Sequence, residues 1–299
     1  MQIFIIGNGF DKGHGLPTGC TDFRRFLDKY YPEFLSAFET YYSIPDTDIW
    51  WGKIEDYLSD IDEDVIIGYA ESVEFDLDVT GEEDFGDTLE YAFKEKFAYI
   101  DQLAAYLKCW IQTIDISGAS RHTTMINPDL EAAYITFNYT ELLERLYLID
   151  PARIFHIHGS IIEGDMDPVI GHGDSCKIFV TEEELFRAQN KSMRRRVDAL
   201  ETVRRYLKTT YKETSHYMNN LQAFASRWTD VDVVHVIGHS VSRVDQGYFS
   251  VIDKITEKKA RWDVYYFDDA DEVMTHILDC GIDNERIRII DSKNFYDLK

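Results

Sequence analysis

Short apolar runs that end at glycine or at a small polar residue recur along the chain. The first, Gln2–Ile6, is polar only at its first residue and is followed at once by Gly7. Apolar runs of this length without alternation are typical of strands that are buried on both faces of a parallel sheet. By the same criterion we predict six further strands: Glu131–Asn138, Arg153–His158, Pro168–Gly171, Asp232–Gly238, Trp262–Phe267 and Arg286–Ile290.

Between the strands, apolar residues recur three and four positions apart, which predicts helices. A glycine-rich turn over 7–19 leads into a helix with Thr21 as its N-cap, and a second helix begins at Thr140, where Glu144 adds capping chemistry. Strands that alternate with helices predict an α/β fold, a mostly parallel, doubly wound (Rossmann-like) sheet with helical insertions. The remaining predicted helices cover 103–116, 181–228, 248–258 and 271–280.

Charge divides the chain into three predicted parts. Between Ile54 and Phe93 there are 15 acidic residues and no Lys or Arg, which predicts solvated acidic helices with a loop over 80–86. We therefore expect an acidic helical insertion over 44–115 and a nucleotide-binding core formed by 1–43 and 116–299. Within the core, 181–229 is a helical segment that holds most of the concentrated positive charge, between 187 and 212.

Composition bears on partners and location. The 299 residues include 31 Lys plus Arg and 55 Asp plus Glu, a formal net charge of −24, which disfavours nucleic acid without excluding it. The four cysteines are too scattered for a disulfide framework or a zinc site, which favours free thiols in a cytoplasmic protein. No stretch approaches the 18 apolar residues of a membrane span, and the first apolar run lacks the features of a signal peptide.

The predicted strand ends give the best indication of a ligand site. Ligands of open parallel sheets bind beyond the carboxyl ends of the strands. Glycine or a short polar residue follows five of the predicted strands, and we expect these residues to meet at one rim. They are Gly7–Asp11, Asn138, His158–Ser160, Gly171–Asp174 and Gly238–Ser240.

Each of these features also has a plain structural interpretation. The glycines after the first strand do not form the dinucleotide fingerprint G-x-G-x-x-G and can serve a tight bend, in which Asp11 is a turn residue. Asn138 can cap the following helix, and Asp245 can be an N-cap. His156 is predicted to be structural; strand periodicity places it on the same side as His158, but we expect no metal there.

Four blocks together are similar to the AbiH family, bacterial proteins of phage abortive infection. They are IIGNGFDKGHGLPTGCTDF, TFNYTELLERLY, IHGS and VIGHSVSRVDQGYF, and they span nearly the whole chain in order. That family resembles, more distantly, the sirtuin-like nucleotide-binding fold. The zinc module of sirtuins, with its paired CxxC motifs, has no counterpart in this sequence, and this favours the NAD hydrolases of phage defence over the peptide deacylases.

The resemblance implies NAD as ligand or substrate, bound without a metal. It implies that His158 is a catalytic base and that Asn138 orients the ribose or the attacking water. Thr140 stands where the related T-x-N-x-D element ends in Asp. The residues implied to bind the dinucleotide are Gly7, Asn8, Gly9, Phe10, Asp11, Pro17, Thr18, Asp22, Phe23, Gly159, Gly238, His239, Ser240 and Asp245.

Three functional hypotheses follow. The first is a phage-defence protein that binds NAD and hydrolyses its nicotinamide–ribose bond, with backbone amides of Gly7, Asn8 and Gly9 on the pyrophosphate. The second is a nuclease or nucleic-acid sensor that uses the basic residues of 187–212, although these also suit a solvated face that pairs with the acidic insertion, within the chain or across a homo-oligomer. The third is a non-catalytic nucleotide switch. The sequence leaves any phage-derived trigger unidentified.

Overall fold

The computed structural model describes residues 1–66, 68–69, 102–228 and 230–298. The loop predicted over 80–86 and most of the predicted acidic helices lie outside the described residues, as do the side chains of Arg194 and Arg195. The chain forms two compact units. The first contains Met1–Gly19, Lys108–Val169 and Glu213–Lys299, and the second contains Cys20–Leu107 and Ile170–Lys212. The predicted division into a core, an acidic insertion and a basic segment stays a prediction.

A six-stranded, all-parallel sheet lies at the centre of the first unit, as the sequence predicts. Its strand order is β3-β2-β1-β4-β5-β6. The reversal between β1 and β4 is the topological switch point of a doubly wound sheet, where ligands of such folds bind. The strands are β1 (Gln2–Ile6), β2 (Ala132–Thr136), β3 (Ile154–His156), β4 (Val233–Ile237), β5 (Arg261–Tyr266) and β6 (Ile287–Asp291).

Helices connect the strands of the first unit and make up much of the second. In chain order, the described helices with α geometry are α1 (Asn8–Gly13), α2 (Cys20–Tyr30), α3 (Pro32–Glu39), α4 (Thr47–Gly52), α5 (Ile54–Tyr57), α6 (Leu103–Ile111), α7 (Leu142–Arg145), α8 (Ser175–Asn190), α9 (Arg194–Thr209), α10 (Thr214–Ala225), α11 (Gln246–Ile255) and α12 (Ala270–Asp279). No helix among the described residues is long and apolar enough to cross a membrane.

Alternation along β1 divides the core of the first unit between the two faces of the sheet. Ile3 and Ile5 pack with residues of α10, α11 and α12 on one face, which we call the α11 face. Phe4 and Ile6 pack with residues of α1 and α7 on the other, which we call the α1 face. Side chains at the strand ends therefore contact helices on either the α11 face or the α1 face.

Three local predictions are wrong. Pro168–Gly171 is not a strand, and the backbone N–H of Val169 instead donates to the carbonyl oxygen of His158. Thr21 is not an N-cap, because α2 already begins at Cys20. Thr140 does not cap a helix either, because α7 begins at Leu142 with Glu141 as its N-cap. The Thr140 hydroxyl instead donates to Asp11, which is distant in sequence.

Ion pairs account for much of the positive charge of the basic segment. Glu182 and Glu184 of α8 pair with Lys208 and Arg196 of α9, which are exposed pairs of the kind that stabilises little. Lys212 is fully buried, and its Nζ lies 2.6 Å from Glu55 Oε1. Lys212 thus pairs with a residue of the predicted acidic insertion, whereas the other two pairs lie within the basic segment itself. The pairing of the whole basic segment with the insertion stays a prediction.

The turns after β1 and β4 touch backbone to backbone at the switch point. The N–H of Gly7 donates to Ile237 O at 2.8 Å, and the N–H of Gly9 donates to Gly238 O at 2.7 Å. A Cβ on Gly7 would lie 2.5 Å from Gly238 O, and Gly238 itself has φ +64°. The glycines are therefore required by this close approach between two turns.

We expect Gly238→Ala to lower the free energy of unfolding by about 2–5 kcal/mol, because the left-handed backbone and the overlap of the new Cβ with the Phe10 backbone nitrogen add. Gly15→Ala is the matched control, since Gly15 has φ +78° and open space around it. That variant should lose only about 1–2 kcal/mol. Urea unfolding of both measures the difference, and equal losses would show that the contact between the turns is not tight.

Candidate functional site

Asp11 is a buried carboxylate at the carboxyl edge of the sheet. Because α1 begins directly after Gly7, its first turn carries Asp11 to the segment that follows β2. Asp11 Oδ1 accepts from Asn138 Nδ2 at 2.7 Å, and Asp11 Oδ2 accepts from Thr140 Oγ1 at 2.7 Å. Only 1% of Asp11 is exposed, so both oxygens are satisfied by the protein itself.

Burial raises the pKa of Asp11 to about 7, although the hydrogen bonds from Thr140 and Asn138 and the nearby charge of His156 act in the opposite direction. The charge of Glu144 raises that pKa further. An acid whose pKa lies near neutrality changes its charge over the physiological range. Asp11 is therefore a titrating group at pH 7.

His156 and Glu144 form a second buried pair beside Asp11. His156 Nδ1 lies 2.9 Å from Asn138 O, and His156 Nε2 lies 2.9 Å from Glu144 Oε1. Both partners are acceptors, so both ring nitrogens must carry protons, which makes His156 an imidazolium. Burial by itself would lower the pKa of His156, but Glu144 and the Asn138 carbonyl raise it above its usual value.

Asn138 is held at several points. Its N–H donates to Thr136 Oγ1 at 3.0 Å, its carbonyl accepts from His156, and its Nδ2 donates to Asp11. Its Oδ1 is buried and has no hydrogen-bond partner among the residues that the structure describes. We call Asp11, Asn138, Thr140, Glu144 and His156 the acid–amide cluster; of all its side-chain acceptors, Asn138 Oδ1 and Glu144 Oε2 remain unsatisfied.

A second cluster lies around the ring of Phe137. His158 Nε2 is 3.3 Å from Tyr248 Oη, and the rings of His158 and His239 lie with their centroids 5.4 and 4.2 Å from that of Phe137. His239 Nε2 is 3.6 Å from Asp245 Oδ2. We call His158, His239, Asp245 and Tyr248 the histidine cluster. Tyr248 and its neighbour Phe249 belong to the core of the α11 face, and Phe137 packs against that core.

The hydrogen bonds of His239 determine its protonation. The N–H of Val241 donates to His239 Nδ1 at 2.8 Å, so Nδ1 has no proton and Nε2 has the one that faces Asp245. Val241 is buried with φ +53°, which is rare for a β-branched residue. The His239 ring therefore fixes a strained turn that follows β4.

His156 and His158 were predicted on one side of a strand, and this is wrong. The strand ends at His156 and a turn begins at Ile157, so the alternation stops between the two histidines. His156 joins Asn138 and Glu144, whereas His158 packs against Tyr217 and Tyr248. The side chains of Asn138 and His158 contact different residues, which belong to different faces of the sheet.

Four of the predicted strand ends belong to the sheet, and the fifth does not. The segment Gly171–Asp174 lies in the second unit, where His172 Nε2 is 2.9 Å from Leu207 O. Asp22 and Phe23 also lie in the second unit, where Asp22 pairs with Arg25. The rim of the sheet is thus formed by the ends of β1, β2, β3 and β4.

The remaining predicted residues occupy varied positions. Thr18 Oγ1 donates to Asn8 Oδ1 at 2.5 Å, and Pro17 is exposed. Phe10 is fully buried and belongs to the core of the α1 face. Ser240 is exposed, and its carbonyl lies 2.9 Å from His276 Nδ1.

Gly159 has φ +79°, and a Cβ there would overlap the carbonyl oxygen of Met166, so this glycine is required by a tight turn.

Sequence reasoning missed the roles of Thr140, Glu144 and Tyr248. Thr140 and Glu144 were assigned to capping, because a hydroxyl followed by a carboxylate at a helix start has that local explanation. Their tertiary partners, Asp11 and His156, are distant in sequence. Tyr248 stands on α11 three residues after Asp245, and only the fold brings it to His158.

The comparisons with known proteins identify one protein family. A family model described as bacteriophage abortive infection AbiH matches residues 3–266. No curated protein matches the chain. Among the described residues, no group of three or more His, Cys, Asp or Glu side chains is arranged to hold a metal ion.

The buried Asp11 makes folding stability depend on pH with a defined sign. Its pKa is about 7 in the folded protein against 3.8 for an aspartate in the unfolded chain, so the folded state binds the proton more tightly. The contribution of Asp11 to stability is then most favourable below about pH 4 and falls by roughly 4 kcal/mol as the pH rises to about 7.

We expect Asp11→Asn to remove that dependence and to exceed the wild type in stability at pH 8. Denaturant unfolding between pH 4 and pH 8 measures it, with the exposed Asp268→Asn as control. If the free energy of unfolding depended on pH in the same way in the wild type and in Asp11→Asn, the raised pKa of Asp11 would be contradicted.

Proposed function

Because the chain belongs to the AbiH family of bacteriophage abortive infection proteins, we propose that it binds NAD at the carboxyl edge of its sheet and hydrolyses the nicotinamide–ribose bond. Membership of the family gives it a role in phage abortive infection. The dinucleotide and the reaction are the proposal, and they are supported by the strand order, by one orphaned acceptor and by the protonation of three histidines.

The strand order supports a nucleotide ligand. In doubly wound sheets of order 3-2-1-4-5-6, dinucleotides bind across the crevice where the order reverses. In this chain the reversal lies between β1 and β4, and Asn138, His158 and His239 follow β2, β3 and β4. This is an argument from the fold, so the residues at the edge must supply the chemistry.

The observation that carries the proposal is Asn138 Oδ1. This oxygen is buried without a partner, and an unsatisfied buried acceptor costs about 1–3 kcal/mol. Such a cost is retained where a ligand or water supplies the missing donor. A ribose hydroxyl is a donor of this kind, so Asn138 fits the role that the sequence resemblance implies for it.

The phosphate donors expected at the first turn need revision. The N–H groups of Gly7, Gly9 and Phe10 all donate to backbone carbonyls of the protein. Of the three amides expected on the pyrophosphate, those of Gly7 and Gly9 are therefore engaged in holding the turns after β1 and β4 together. The expectation for the amide of Asn8 stays a prediction.

The protonation states of the three histidines favour His158 as the general base. His156 is an imidazolium and has no lone pair to accept a proton, and His239 already accepts from Val241 at Nδ1 while its Nε2 proton faces Asp245. The neighbour of His158 Nε2 is a tyrosine hydroxyl, which can donate or accept. His158 can therefore change its protonation state without losing that partner.

The proposed reaction is a hydrolysis. A water oxygen forms a bond to the anomeric carbon of the ribose as the N-glycosidic bond breaks, and the bonding pair neutralises the nicotinamide ring. One water proton passes to His158, and the products are ADP-ribose and nicotinamide. Because Asn138 and His158 approach from different faces of the sheet, a substrate that lies across the edge is required to meet both.

We expect His158→Ala to lower the rate of nicotinamide release by about 10²–10⁴-fold while ADP-ribose affinity stays within about twofold, as for a lost general base. His216→Ala, on the exposed side of α10, is the control. Chromatographic detection of nicotinamide and calorimetric titration with ADP-ribose separate the two effects. An active His158→Ala variant would remove the proposed base, and binding without any release in the wild type would favour the non-catalytic switch.

We expect Asn138→Ala to weaken ADP-ribose binding by about tenfold or more, because the acceptor for the ribose hydroxyl is lost. The control is Asn219→Ala, which removes an exposed amide from α10. Thermal-shift titrations with ADP-ribose provide the comparison. Equal affinity in wild type and Asn138→Ala would place the ligand away from this residue.

The nucleic-acid hypothesis has less support. Arg187, Arg196 and Lys208 pair with glutamates of α8, and Lys212 is buried against Glu55. Phosphate contacts require basic side chains that release counterions to the solvent. The hypothesis stays a prediction that no described contact favours.

A further inference from the structure

Asp11 is placed to control Asn138 and not to touch a ligand. Both of its carboxylate oxygens are engaged, by the Asn138 amide and the Thr140 hydroxyl, and only 1% of the residue is exposed. Two parts of the chain meet at this carboxylate, since α1 supplies it and the segment between β2 and α7 supplies both donors. A group enclosed in this way acts through its neighbours.

The carboxylate determines which way the Asn138 amide faces. An ionised carboxylate can only accept, so the half of the amide that faces Asp11 must be Nδ2. The oxygen must then point away from Asp11, and Oδ1 is indeed the atom without a partner. The opposite orientation would set two oxygens against each other in a buried site.

We propose that Asp11 is a positioning residue that locks the Asn138 amide with Oδ1 towards the ligand, so that the site selects hydroxyl or water donors and does so only while Asp11 is ionised. This inference rests on the proposed function for the identity of the ligand. The orientation of the amide itself does not depend on it.

Protonation of Asp11 removes this constraint on the orientation of the Asn138 amide. A protonated carboxyl offers a proton on one oxygen, so it can face an amide oxygen as well as an amide nitrogen. Asn138 then has no enforced orientation and presents Nδ2 as readily as Oδ1. Because burial brings the pKa of Asp11 to about 7, the change falls between pH 6 and pH 8, and affinity for a hydroxyl ligand falls as the pH decreases.

Other titrating groups lie close to Asp11 and set the controls. His156 on β3 and Glu144 on α7 act on Asp11 through their charges, and the charge of Asp11 raises the pKa of Tyr296 near the C-terminus. Thr140 does not titrate, but its hydrogen bond lowers the pKa of Asp11. Removing the Thr140 hydroxyl must therefore move the transition to higher pH.

The first test needs no ligand. The side-chain amide signal of Asn138 is identified in the ¹⁵N-labelled protein by its loss in Asn138→Ala, and the ring C–H signals of His156 report that residue separately. We expect the Asn138 amide signal to titrate with a midpoint near pH 7 in the wild type, to lose this titration in Asp11→Asn and to show a higher midpoint in Thr140→Val. An amide that does not titrate in the wild type, or that titrates unchanged in Asp11→Asn, overturns the proposal.

The second test measures whether the ionisation of Asp11 controls the affinity for ADP-ribose. ADP-ribose affinity of the wild type should fall by about tenfold between pH 8 and pH 6, and that of Asp11→Asn should be weak and independent of pH. A wild-type affinity that is flat across this range, alongside a titrating amide, overturns the control of binding by Asp11. If ADP-ribose and NAD do not bind at any pH, the proposed function fails, and the amide titration alone decides the role of Asp11.

Discussion

The hydrogen bonds from Asn138 and Thr140 to the buried Asp11 carboxylate are the interaction on which the site depends. They join α1 to the segment after β2, and they leave Asn138 Oδ1 as an acceptor without a partner. The imidazolium of His156 reinforces this arrangement, because it holds the Asn138 carbonyl from the other side and is itself held by Glu144. Without the carboxylate, the amide would have no preferred orientation.

This arrangement lowers the free energy of unfolding but gives the site a defined geometry. A buried carboxylate, a buried imidazolium–carboxylate pair and an unsatisfied amide oxygen are each unfavourable to folding. The strained turn at Val241 adds to this at the same edge. Concentrated strain and perturbed pKa values of this kind are typical of functional sites, and the remaining core of the sheet is conventional.

The sequence predicted the framework better than the site. Continuous apolar runs located all six strands, because a strand buried on both faces has no polar alternation, although Pro168–Gly171 showed that four residues are too few for this criterion. Asn138 was identified from its place after a strand. Its partner Asp11 was assigned to a turn or a ligand contact, and Thr140 and Glu144 to a cap, since each has a local explanation that sequence alone cannot replace. The alternation that paired His156 with His158 failed because the strand ends between them.

A crystal structure of the protein with ADP-ribose tests the central claim most directly. The account predicts a ligand hydroxyl, or a water bound by the ligand, within hydrogen-bond distance of Asn138 Oδ1, with Asn138 Nδ2 still on Asp11 and no ligand atom on the Asp11 carboxylate. ADP-ribose bound away from the ends of β1, β2 and β4, or a direct contact between the ligand and Asp11, would contradict it.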